Sequence, residues 1–208
     1  MDSDEPMGLR ARTRNAVREE LMAAALDVFA AKGYDSATVE EIAATVGLSK
    51  RSFFRYFGSK EDVVLGNLEA MGQSLAARLA ERPPHENPWR ALRETFAIIV
   101  EHNDRDPQRT LPLLRMLEEA PALKARHLEK QSRWCELLAP AIASRLPAWT
   151  DSGPDPRPVA LAGAALACLD SAQAAWLAQG GTTALSPILN RTMAAVAPLE
   201  PAAPESRA

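Results

Sequence analysis

Aromatic residues are scarce in this chain, with five Phe, four Trp and two Tyr among 208 residues. Strands draw on aromatic and β-branched side chains. No stretch alternates apolar and polar residues between turn dipeptides, so a β-sandwich or barrel is excluded. Cysteine is limited to Cys135 and Cys168, too far apart for a disulfide framework or a thiolate metal site. Both sit among apolar helical residues, where a thiol packs as a small hydrophobe. The three histidines, His85, His102 and His127, lack ligand spacing, so no metal and no cofactor is expected. The sequence has no nucleophile–base motif, no glycine-rich phosphate loop and no paired carboxylates in an apolar setting, and no enzyme is expected. The longest apolar run, Val159 to Leu169, is eleven residues long and ends at Asp170. A membrane span needs roughly 20, and the acidic N-terminus lacks the layout of a signal peptide. No membrane is expected, and the expected compartment is cytoplasmic.

What is present favours helices. Hydrophobic residues make up 47% of the chain, and Ala and Leu, which lose little side-chain freedom in a helix, dominate them. The net charge of −3 hides an uneven distribution. Arg10, Arg12, Arg14 and Arg18 form one basic run without an acid, and Lys50, Arg51, Arg55 and Lys60 form a second. Contact with phosphates needs local charge of this kind and not a basic average. A short basic run is also compatible with a solvated face.

Capping residues, proline and glycine cut the chain into about nine helices. The first spans about Thr13 to Lys32, with Val17, Leu21, Ala24, Ala25, Val28 and Phe29 at helical spacing and Gly33 as its stop. Thr38 with Glu41 predicts a capping box on a short second helix. Ser49 caps a third helix ending near Phe57, and Ser59 a long fourth reaching Arg82. Asn87-Pro88 and Asp106-Pro107 each pair an N-cap with Pro at the first helical position. A helix from Pro121 to Leu146, irregular near Pro140, precedes a proline-rich loop and a last pair at about Val159–Leu177 and Pro187–Ala197. The expected organisation is an arm over 1–12, a small helical head over 13–60, a larger helical body over 61–197 and a tail over 198–208.

The stretch from Thr38 to Lys60 carries the function. Two short helices joined at Gly47 have the layout of a helix-turn-helix. Ile42, Ala43, Val46, Leu48, Phe53 and Phe57 supply the faces that lock them together. Lys50, Arg51, Ser52, Arg55 and Tyr56 are left pointing outward, with no acid over eleven residues. Such a helix fits the major groove, where Arg forks onto guanine and hydroxyls bond phosphates. An ordinary helical hairpin shares the layout but usually mixes both charge signs on its outer face.

These residues resemble the tetracycline-repressor (TetR) family of regulators. The resemblance rests on Phe29-Ala-Ala-Lys-Gly-Tyr34, Thr38-x-x-x-Ile42-Ala43, Val46-Gly47-Leu48-Ser49 and Phe53-Phe54-x-Tyr56-Phe57-x-Ser59-Lys60-Glu61, and is dense over residues 13–65. It implies an all-α fold, with an N-terminal three-helix helix-turn-helix joined to a helical ligand-binding and dimerisation domain. It implies phosphate contact by Thr38, base and phosphate contact by Ser49, Lys50, Arg51 and Ser52, and backbone clamping by Tyr56 and Lys60. Phe54 stands where the family usually has Tyr, keeping a ring for a thymine methyl but no hydroxyl. Arg51 stands where a small residue is common.

In the body, Val159–Leu177 is apolar on nearly all sides and must be buried on nearly all sides. Packing against a second subunit achieves this, as does burial at the centre of a monomer; the resemblance implies a homodimer through the last two helices. An effector pocket is expected among Trp89, Arg93, Phe96, Met116, Trp134, Leu138, Gln173 and Trp176. The spacings Leu114-Arg115-x-Leu117-x-x-x-Pro121 and Trp176-Leu177-x-x-Gly180 resemble TetR relatives that answer to acyl-thioesters or other lipophilic metabolites. The expected function is a ligand-responsive homodimeric repressor on a pseudo-palindromic operator in double-stranded DNA, released by a small lipophilic effector. The alternatives are a helical lipid- or acyl-thioester-binding protein and a protein-interaction module, neither with a DNA role.

Overall fold

The computed structural model describes residues 8–65 and 68–197. The described residues form helices joined by turns and loops, with no strand among them. It divides into two compact units, one holding α1 to α4 and the other the greater part of α5 to α10.

The first unit comprises α1 (Leu9–Lys32), α2 (Val39–Thr45), α3 (Lys50–Phe53) and α4 (Lys60–Leu65). α1 begins at Leu9 and not at residue 13, so the expected arm is already helical from there; residues 1–7 of the arm lie outside the described residues. Gly33 closes α1 at φ 80°, its N–H donating to the Phe29 carbonyl at 2.8 Å. Both halves of the expected capping box form: the Glu41 N–H donates to Thr38 Oγ1 at 3.2 Å, and the Thr38 N–H to Glu41 Oε2 at 3.0 Å. The third helix is shorter than its aromatic run suggests. After Phe53 the amides of Arg55 and Tyr56 bond three residues back, to Ser52 and Phe53, so the helix tightens into turns before Phe57. Gly66 and Asn67, on which the expected single fourth helix depends, lie outside the described residues.

The second unit contains α5 (Leu68–Glu81), α6 (Pro88–Arg105), α7 (Pro107–Glu119), α8 (Pro121–Ala143), α9 (Arg157–Ala178) and α10 (Leu185–Val196). Both Asx–Pro starts behave as read. Asn87 Oδ1 accepts from the Trp89 and Arg90 amides at 2.8 and 3.2 Å, and Asp106 Oδ1 from the Arg109 amide at 3.1 Å. Pro140 stays inside α8, which ends at Ala143. One core joins Leu75 and Leu79, Trp89, Leu92 and Phe96, Trp134, Leu138 and Ile142, Leu166 and Trp176, and Leu185 and Leu189. Burial stabilises each such side chain by about 1.5–3 kcal/mol relative to exposure.

Distant side chains finish helix ends that lack local caps. Asp104 Oδ1 of α6 accepts from the Leu185 amide at 2.8 Å, at the start of α10. Arg145 donates to the Leu79 and Arg82 carbonyls at 2.6 and 2.8 Å, satisfying the end of α5. By length and composition α9 would suffice to cross a membrane. Here eight of its residues, including Leu166, Leu169 and Trp176, are buried within the unit.

Lys130 of α8 holds its ammonium 4.2 Å from the centre of the Trp134 ring. Burial pushes its pKa down to about 8, partly offset by the charge of Asp170. The folded value lies below the usual 10.5, so the penalty on the charged form is fully present below pH 8 and fades as pH rises toward 10.5. Lys130→Met is therefore expected to raise stability at pH 7 by about 1–3 kcal/mol, net of the lost cation–π contact. Denaturant unfolding should show a smaller gain at about pH 9.5; a gain independent of pH contradicts the assignment.

Candidate nucleic-acid interface and effector cleft

α3 has four residues and no stability of its own, so its neighbours set its orientation. Phe53, fully buried, anchors it against α2, where Ile42 and Ala43 are also fully buried. The turn between them closes on Ala43, whose carbonyl accepts the Leu48 amide at 2.8 Å and the Val46 amide at 3.3 Å. Gly47 sits at φ 70°, a left-handed conformation that disfavours other residues. Ser49 Oγ then accepts the Ser52 amide at 3.1 Å and donates to Ser52 Oγ at 3.1 Å.

The expected DNA-contact residues take three kinds of place. Thr38, Ser49, Lys50, Arg51 and Arg55 are exposed, and Ser52 and Tyr56 are half-buried. Phe54 stands 47% exposed, edge-on to Phe53 with ring centres 5.5 Å apart. An apolar ring is thus presented to solvent beside three cations. Lys50 makes an ion pair with Glu40 of α2 at 2.6 Å, which holds the Glu40 carboxyl below its usual range. The absence of acids around the third helix is therefore a property of the sequence alone; α2 brings one to the same face.

Lys60 faces inward. Its ammonium donates to the Tyr34 and Ala37 carbonyls at 2.8 and 3.1 Å and lies 4.2 Å from the centre of the Tyr34 ring. The Tyr34 hydroxyl in turn donates to Glu61 Oε1 at 2.7 Å. Burial and then that carboxylate raise the Tyr34 pKa, while Glu61, despite its own burial, is held below its usual range by the Tyr34 hydroxyl. Lys60 ties the start of α4 to the connection between α1 and α2.

Arg18 also has an interior role that the basic N-terminal run conceals. Its guanidinium donates to the Tyr56 carbonyl and lies 4.3 Å from the centre of the Phe57 ring. Burial, then the nearby Arg14, lowers its pKa. The register was the available signal: positions 18, 21, 25 and 29 share one helical stripe, the other three being the buried Leu21, Ala25 and Phe29.

In the body, Trp89, Phe96, Trp134, Leu138 and Trp176 pack into the core. The Trp89 and Trp176 indoles donate to the Met193 and Thr183 carbonyls at 3.2 and 2.7 Å. Arg93 bonds Asn190 at 3.3 Å and pairs with Glu94, and Met116 is half-buried. Of the expected pocket residues only Gln173 lines the cleft of about 370 Å³ formed by α7, α8 and α9. Its walls include Leu114, Leu117 and Ala174, with Asp170 and His127 beside Gln173. Asp170 Oδ1 lies 3.1 Å from His127 Nε2, and the Gln131 amide donates to Oδ2. His127 escaped sequence reasoning because its partner lies 43 positions away. Among the described residues no group of three or more His, Cys, Asp or Glu side chains could hold a metal ion.

Comparison with known proteins fits this arrangement. The family described as bacterial regulatory proteins, tetR family, matches residues 21–66, and the MftR C-terminal domain matches residues 86–201. The chain belongs to the tetR family of bacterial regulatory proteins. It is 35% identical over 144 residues to the HTH-type transcriptional regulator TcmR of Streptomyces glaucescens, covering 66% of this chain and 64% of TcmR. It is 25% identical over 134 residues to the putative mycofactocin biosynthesis transcriptional regulator MftR of Mycobacterium tuberculosis, covering 64% of this chain and 68% of MftR. The chain thus spans about two thirds of the length of these relatives.

Two solved structures share the fold. The fatty acid degradation regulator FadR of Bacillus halodurans has a TM-score of 0.59 at 17% identity, over 85% of this chain and 92% of that one. FadR of Thermus thermophilus, a TetR-family repressor solved with lauroyl-CoA, has a TM-score of 0.56 at 22% identity, over 90% and 97%.

The inward placement of Lys60 has a consequence independent of any ligand. Lys60→Met should lower stability by about 1–3 kcal/mol without nucleic acid, by removing charged hydrogen bonds to two carbonyls. Denaturant unfolding that leaves the midpoint unchanged contradicts the tie.

Proposed function

We propose that the protein is a transcription regulator that reads a pseudo-palindromic operator as a homodimer and is released from it by a small-molecule effector. The observation that carries the reading is the face built on α3. Lys50, Arg51 and Arg55 project from a turn whose apolar side is fully buried, beside the exposed ring of Phe54. This arrangement presents cations and one apolar ring at fixed positions, as base-edge readout requires. Thr38, Ser49, Ser52 and Tyr56 supply flanking hydroxyls for phosphate oxygens, and Lys60 and Arg18 hold the face from behind.

The dimer reading rests on α9. Its outward side leaves Val159 49% exposed, with Ala160 and Ala167 also exposed. A second copy would cover this small-residue face with its own α9 and α10, and the symmetric pair would place two heads on successive major grooves. Release by an effector requires that it bind the DNA-incompetent arrangement more tightly than the DNA-bound one. FadR of Thermus thermophilus, solved with lauroyl-CoA, supports an effector of small-molecule kind; among the described residues the cleft lined by Leu114, Leu117 and Ala174 has room for one.

Selection of fragmented genomic DNA by the purified protein tests the reading. Enrichment of one palindromic site is expected, with an Arg51→Ala variant losing about 1–3 kcal/mol of discrimination at one position of the half-site. No enrichment, with or without cell extract, overturns the DNA reading, and a stable monomer at micromolar concentration in sedimentation overturns the dimer.

Arg18 gives a sharper test of how the face is held. If it acts through Tyr56 and Phe57, Arg18→Met lowers operator affinity more than non-specific affinity and leaves the salt slope unchanged. A phosphate contact would instead weaken both equally and reduce the slope by about one.

A further inference from the structure

The cleft between α7, α8 and α9 has a chemical bias. Its volume of about 370 Å³ lies at the lower edge of ligand sites. Its size suits a compact molecule. Leu114, Leu117 and Ala174 give it apolar walls. Its charged lining is two acids, Glu118 and Asp170, against one base, Lys124. Glu118 and Lys124 are exposed, so water screens them.

Asp170 is different. Its side chain is 36% exposed, and the groups bonded to it are His127 and Gln131, neither of which brings a permanent charge. Gln131 Nε2 also lies 3.2 Å from His127 Nε2, so the three side chains brace one another. Lys130 feels the Asp170 charge, yet its ammonium sits over the Trp134 ring and is not part of the lining. The carboxylate is therefore oriented by hydrogen bonds while its charge remains open to a partner in the cleft. A ligand carboxylate there would meet Asp170 at close range, and an alcohol would bond it without answering its charge.

We propose that the cleft binds a compact organic cation, an amine whose ammonium pairs with Asp170 while its hydrocarbon body lies against Leu114, Leu117 and Ala174. The assignment names the effector class for the reading above. Its regulatory consequence rests on that reading; the binding itself does not.

The test titrates the full chain, free of DNA, with three probes on one ring system: naphthylmethylammonium, naphthylmethanol and naphthoate. The ammonium is expected to bind at least about tenfold more tightly than the alcohol, and the naphthoate more weakly than either. Asp170→Asn should bring ammonium and alcohol to equal affinity. Ala174→Trp, which fills the cleft and leaves the Asp170 side chain in place, should abolish binding of both while the circular dichroism spectrum is retained. Equal affinities in the unaltered protein, preference for naphthoate, no saturable binding at millimolar concentration, or a preference that survives Asp170→Asn each overturn the proposal. Operator binding is scored separately. Failure of the amine preference leaves the DNA reading standing, and failure to bind DNA leaves the cleft assignment standing.

Discussion

Everything on the recognition face depends on the burial of Phe53. A four-residue helix makes too few internal hydrogen bonds to offset the ordering of its backbone. Packing against α2 must hold it, and Phe53, Ile42 and Ala43 form that contact with no exposed surface. The small side chain of Ala43 permits the close crossing, and its carbonyl anchors the turn by accepting two amides. Truncating Phe53 would remove about 3–5 kcal/mol from a small unit, enough to release the face it supports.

Charge in the head is divided between two tasks. Lys60 and Arg18 point inward, onto the carbonyls of Tyr34, Ala37 and Tyr56 and the faces of two rings. Lys50, Arg51 and Arg55 remain outside, and Lys50 already has Glu40 as a partner. An exposed pair of this kind contributes little stability. In the proposed complex, DNA phosphates would compete with Glu40 for Lys50, whereas Arg51 would meet bases without that competition. The basic runs of the sequence therefore overstate the charge available to a polyanion, and the reading face is narrower and more directional than the composition suggests.

Local features were legible in the sequence. The caps at Thr38, Asn87 and Asp106 form as spacing predicts, because cap and amide lie within three residues. The family was legible from the stretch between Phe29 and Glu61, whose residues build the turn directly. The end of the third helix was not, since an aromatic run reads the same whether its last amides reach back three residues or four. Partners far apart in sequence were also hidden: Lys60 with Tyr34, Arg145 with Leu79, His127 with Asp170. Most of the expected pocket residues lie in the core for a related reason. Large apolar side chains at helical spacing fill cores, as Trp89, Phe96 and Trp176 do here, and a cleft is marked by the partly exposed polar groups between them.

The central claim is that the recognition face is assembled before any DNA arrives. Native-state hydrogen exchange on the free protein reads this from two amides, Leu48 to the Ala43 carbonyl and Tyr56 to the Phe53 carbonyl, both at 2.8 Å. The account predicts that these exchange with the same opening free energy as the interior of α1, since one packed unit must open to expose them. Exchange near the unprotected rate at Leu48 and Tyr56, with α1 still protected, would show a face that forms only on binding and would contradict the account.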